Sequence, residues 1–202
     1  MKKFLIVGSI IFLTSCQSEN VNITNDLLVR GVRAYNFHSN INYFTAEERF
    51  QSVLDRNTLA KDEEKAYAYM YLAKIRLKND KIKEAIDLLK KSEKLSDNFP
   101  YEYEILSDYF YEKRDIEMSQ KYYNLLISWL DNKINEIKLG NFNVLNLEFT
   151  TPYSYASGQN FRNYLDMYNP NIEYSKREEQ YLKYLLSRKL FAQKQLRELK
   201  SL

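Results

Sequence analysis

The chain carries one cysteine, Cys16, and one histidine, His38. These two residues bound its nucleophilic and metal chemistry. A Ser–His–Asp triad would have to use His38, and nothing nearby in the sequence orients it. Zinc ligation needs further His or Cys side chains. Four scattered glycines cannot build a phosphate-cradling loop. The acidic pairs Glu47–Glu48 and Glu63–Glu64 lie in polar helical stretches and read as solvated faces. Two-carboxylate glycoside chemistry would need such groups to face each other across a cleft. The expectation is a protein that is not an enzyme, with no metal and no cofactor, and with His38 as a polar residue near a turn.

Cys16 has a different use. The chain begins MKKFLIVGSIIFLTSC: two lysines, then the apolar run Phe4 to Leu13, then Thr14, Ser15 and Cys16. The run is too short to span a membrane, which takes roughly 20 residues, and it suits a signal peptide. An unpaired thiol directly behind such a run is anomalous for a secreted protein. The arrangement resembles the lipobox of bacterial lipoproteins: an aliphatic residue, two small residues, then cysteine. The resemblance implies a signal peptide over 1–15, cleavage before Cys16, and a diacylglycerol thioether on its sulfur. Acyl chains contribute about 0.8 kcal/mol per buried CH₂, so two or three of them hold a protein on a bilayer. Gln17 follows where an Asp would imply inner-membrane retention. The implied location is therefore the cell envelope, lipid-anchored, with the outer membrane facing the periplasm favoured if the organism has one. Residues 16–26 read as a flexible polar tether.

The elements that carry any binding surface follow from composition and period. With few glycines and prolines, long helices are expected. Net charge is +3 with both signs interspersed, which argues against a nucleic-acid surface. In AYAYMYLAKIRLKNDKIKEAIDLLKKSEKLSDN, apolar residues recur at helical spacing on both sides of a short polar break. Tyr69, Leu72 and Ala73 stand before it, and Ala85 and Leu89 after it. This resembles a tetratricopeptide repeat, a helix–turn–helix unit of 34 residues. The repeat spans 66–99. A second unit over 100–133 keeps the register with Tyr103, Leu106, Ser107, Phe110, Ser119 and Tyr123. An earlier unit over 27–60 is divergent: Ala34, Phe37, Ala46, Phe50 and Val53 fit, but Arg30 and Arg33 occupy places meant for large apolar residues.

The expected fold is all-α: a tetratricopeptide-like helical hairpin solenoid over 27–133, an irregular aromatic segment over 134–172, and a C-terminal capping helix over 173–202. Stacked hairpins form a groove lined by the first helix of each pair. The resemblance places groove residues at Tyr67, Met70, Lys74 and Lys78, at Tyr101, Glu104, Asp108, Tyr111 and Glu112, and at Tyr35 and His38. Tyrosine offers contact area with a polar handle, which suits peptide recognition. Packing within the solenoid is the alternative for each of these tyrosines.

Residues 140–172 hold two of the three prolines and many aromatics, and either fill the groove or extend it. In 173–202, Leu182, Leu185, Leu186, Leu190, Leu196 and Leu199 recur at roughly helical spacing. The basic residues there read as a solvated face, with contact to headgroups or an acidic partner as the alternative. The expected function is a membrane-anchored interaction scaffold with an envelope protein or peptide partner, in outer-membrane, pilus or secretion-system assembly. The alternatives are a surface lipoprotein meeting host or neighbouring cells, and an envelope enzyme.

Overall fold

The computed structural model of the chain describes residues 23–24, 26–37, 40–56, 59–96, 100–141 and 174–201. The expected signal peptide over 1–15, Cys16, His38 and most of the expected aromatic segment lie outside the described residues. Among the described residues there are seven helices: α1 (26–36), α2 (Asn40–Asp55), α3 (Asp62–Lys78), α4 (Ile82–Leu95), α5 (Tyr101–Glu112), α6 (Ile116–Lys138) and α7 (Tyr174–Leu199). The class is all-α, with no strand among the described residues. No helix there is long and apolar enough to cross a membrane.

Local chemistry sets the helix limits. The first turn of α3 carries Asp62, Glu63 and Glu64 and its last turn Arg76 and Lys78, complementing the helix dipole at both ends. Glu64 reaches back to accept from the Lys61 amide at 2.8 Å, satisfying a donor that the helix leaves free. Its carboxylate is fully buried and also accepts from the Thr24 hydroxyl at 3.2 Å, which ties the start of the described chain to α3.

The turns after α3 and α5 are the same turn, 34 residues apart. Lys81 donates to the Arg76 carbonyl and Asp80 to that of Leu77; Asp115 donates to Phe110 and Arg114 to Tyr111. Such bonding needs a left-handed residue, and Asp80 and Arg114 take it, with φ of 56° and 58°. The same pattern ends α6, where Gly140 supplies φ of 71°.

Consecutive helices pack against one another from α2 to α7. The α3/α4 pair is antiparallel: Ser92 in the last turn of α4 donates to the Ala66 carbonyl at the start of α3, 2.8 Å away. Ala73, Ala85, Ser107 and Ser119 are all fully buried where the paired helices approach. The odd-numbered helices also touch directly. Tyr35 of α1 meets Tyr71 of α3 at 5.3 Å, and Tyr67 of α3 meets Tyr101 of α5 at 5.9 Å. Arg188 of α7 pairs with Glu104 of α5 at 2.7 Å.

Three expectations need correcting. In α1 the buried residues are Leu28, Gly31 and Val32, so Arg30 and Arg33 face solvent and displace no apolar contact. A Cβ on Gly31 would lie 2.7 Å from the Phe50 ring, so glycine is what lets α1 and α2 close together. Phe37 is exposed and not part of this packing. Next, α6 runs on to Lys138, into the stretch from 134 expected to be irregular, because Ile134 and Ile137 prolong the buried stripe of Leu126 and Leu130. Finally, α7 does not bury its leucines as a ladder. Its inner face is Tyr181, Tyr184, Leu185, Ala192 and Leu199, while Leu186 and Leu190 are exposed.

Candidate binding cleft

A cleft of about 410 Å³ lies along the odd-numbered helices. Tyr35 comes from α1, and Lys74, Leu77 and Lys78 from α3. Glu104, Ile105, Asp108, Tyr109 and Glu112 come from α5, with Lys113 at its end, and Arg188 comes from α7. No lining residue belongs to α2, α4 or α6.

Helical spacing arranges the charges in rows. Lys74 and Lys78 stand one turn apart on α3; Glu104, Asp108 and Glu112 stand at successive turns on α5. Leu77 and Ile105 give the walls apolar surface, and the Tyr35 and Tyr109 rings frame it. Beside the cleft, Asp80 holds the α3/α4 turn onto α5, accepting from the Tyr109 hydroxyl at 2.8 Å and pairing with Lys113 at 2.5 Å.

Burial perturbs the inner groups. Desolvation pushes Lys74 below the ordinary lysine range, against the attraction of Glu104 and Asp108. Its ammonium lies 5.0 Å over the Tyr71 ring. Desolvation raises Glu104 above the usual carboxylate range, opposed by Arg188. Asp108 is raised for the same reason, opposed chiefly by the Tyr123 hydroxyl that donates to it at 2.8 Å. Tyr35 is pushed up to about 12 by burial, then by Tyr43 and Glu112.

Of the groove residues expected from sequence, the cleft brings together Tyr35, Lys74, Lys78, Glu104, Asp108 and Glu112. It excludes four. Tyr67 and Tyr101 are buried against each other between α3 and α5, and Met70 is 4% exposed within the core. Tyr111 is 37% exposed and lies outside the lining. Tyr67 and Tyr101 fail because α3 and α5 come into close contact there and leave no open surface.

Leu77, Ile105, Tyr109, Lys113 and Arg188 were not anticipated as lining. Arg188 had a visible signal: it lies three residues after Leu185 and four before Ala192, a cation on the apolar stripe of its helix. A charge on a buried stripe calls for a partner, and Glu104 is that partner. The other four simply flank residues already expected. No family model, curated protein or solved structure matches the chain.

Proposed function

We propose that this protein is a lipid-anchored envelope scaffold, held to the membrane through Cys16, whose tetratricopeptide-like hairpins grip a polypeptide partner in the cleft. The observation that carries this reading is that, among the described residues, the cleft is lined by odd-numbered helices and the turn after α5. Side-by-side first helices of stacked hairpins present one continuous wall, which suits an elongated chain. The lipobox-like LTSC supports the anchor. Assembly of outer-membrane proteins, pili or secretion systems is the setting that such an anchored scaffold serves.

The test places a photo-crosslinking side chain at Lys78, an exposed cleft position, and at Lys83 on α4, which is exposed and outside the cleft. Irradiated intact cells should yield one dominant envelope polypeptide from position 78 and not from 83. Equal capture at both positions, or none, overturns the scaffold reading. Separately, C16A should leave the membrane fraction; its retention there overturns the anchor.

A further inference from the structure

The two walls of the cleft carry opposite charges that do not close on each other. Lys74 and Lys78 line the α3 side, Asp108 and Glu112 the α5 side. Lys74 feels Asp108 and Glu104 electrostatically, and Glu112 feels Asp108 and Tyr35. Among the described residues, none of Lys74, Lys78, Asp108 and Glu112 makes an ion pair. Glu104 is occupied by Arg188, and Lys113 by Asp80. Two half-desolvated rows of opposite sign therefore stand open across about 410 Å³.

The spacing of those rows selects an occupant. Residues one helical turn apart are separated by roughly 6 Å along the axis. An extended chain places alternate side chains on one edge at roughly 6.6 Å and the others on the opposite edge. A strand that alternates acid and base would point every acid at Lys74 and Lys78 and every base at Asp108 and Glu112. A chain of one sign would meet repulsion from one wall or leave the other unpaired, and a helix, about 10 Å across with its side chains, would overfill a cleft of about 410 Å³.

Resting on the reading of the cleft as a polypeptide-binding groove, we infer that its occupant is an extended segment of alternating acidic and basic side chains. Leu77 and Ile105 give the walls apolar surface for the aliphatic stems of those acidic and basic side chains.

The experiment uses the full chain purified from membranes in detergent and four labelled peptides of equal length. One alternates Glu and Lys, one has the same composition in blocks of two, one is all Glu and one all Lys. Fluorescence anisotropy at low salt should show the alternating peptide bound about tenfold more tightly than the other three. Added salt should weaken it. K74Q and D108N should each cost the alternating peptide about tenfold and leave the other three nearly unchanged. K78Q and E112Q change exposed residues of the same rows and keep the test decisive should an inner variant fail to fold. Tighter binding of the blocked or single-sign peptides, or no binding of the alternating one, overturns the inference. Crosslinking at position 78 in the same cells then tells whether the broader scaffold reading survives.

Discussion

The hairpins α3/α4 and α5/α6 are alike where they pack and opposite where they meet solvent in the cleft. A step of 34 residues exchanges Leu72 for Leu106, Ala73 for Ser107 and Ala85 for Ser119, all buried. The same step exchanges Lys74 for Asp108 and Lys78 for Glu112. Interior volume is fixed by close packing, so size is retained even where alanine becomes serine. The serine hydroxyls are satisfied: Ser107 donates to the Glu104 carbonyl and Ser119 to that of Ser107. Wall positions carry no such constraint. One repeated frame thus yields two unlike walls, and the chemistry of the cleft comes from their difference.

The most severe way to break this comparison is to empty equivalent core positions. Leu72→Ala and Leu106→Ala each remove a buried side chain and should each cost about 2–5 kcal/mol. Urea unfolding measures both. A loss under about 1 kcal/mol at one position, with the other in range, would show that the hairpins are not equivalently packed.

The next effect separates the inner ion pair from the outer one. Arg188 and Glu104 have side chains 22% and 15% exposed, so Arg188→Ala strands a desolvated carboxylate and should cost about 1–3 kcal/mol. Lys113 and Asp80 are half exposed or more, and Lys113→Ala should change stability less. If Glu104→Gln in the Arg188→Ala background restores nothing, the cost was lost packing of α7 and not an unpaired charge.

How much of this was legible follows from the kinds of signal involved. The register of α3 to α6 was readable because small residues at 73, 85, 107 and 119 sit between large ones at a strict interval. The extension of α6 was hidden because α6 packs on α7, far along the chain, and the buried stripe that Ile134 and Ile137 prolong is not marked by the 34-residue repeat. The buried face of α7 was misread because its leucines were counted while Tyr181, Tyr184 and Ala192 carried the stripe. Lys74 and Asp108 line the cleft at positions that register alone picks out. Tyr67, Met70 and Tyr101 do not, because whether a first-helix residue meets solvent depends on how closely the next odd helix approaches.

The joint between the hairpins gives a pH-dependent test. Glu93 at the end of α4 and Glu102 at the start of α5 share a hydrogen bond. Burial, then the neighbouring carboxylate, pushes Glu93 up to about 7 from an ordinary 4.5, with Lys90 opposing. Burial also raises Glu102. The folded state therefore holds a proton that the unfolded chain releases, and stability should fall as pH rises from about 4.5 through about 7. Glu93→Gln should make that fall shallower, leaving the part set by Glu102, Glu104 and Asp108, as the urea midpoint followed from about pH 5 to about pH 8 would show. An unchanged slope in the variant would place the titration elsewhere and leave the joint insensitive to protonation.

The smallest effect lies in the repeated turn. Asp80 and Arg114 adopt the same left-handed conformation, which costs a side chain roughly 1 kcal/mol that glycine avoids. Asp80 recovers that cost through Tyr109 and Lys113. Arg114 is exposed and has no hydrogen bond or ion pair among the described residues except the backbone bond that closes the turn. Arg114→Gly should therefore stabilise the protein by about 0.5 kcal/mol, since glycine also loosens the unfolded chain. Asp80→Gly should give no such gain, because it releases the α3/α4 turn from α5. Thermal unfolding of the two variants side by side checks this. Equal gains from both would mean that the Asp80 contacts contribute nothing to the stacking of one hairpin on the next, and that the cleft edge they form is held by packing alone.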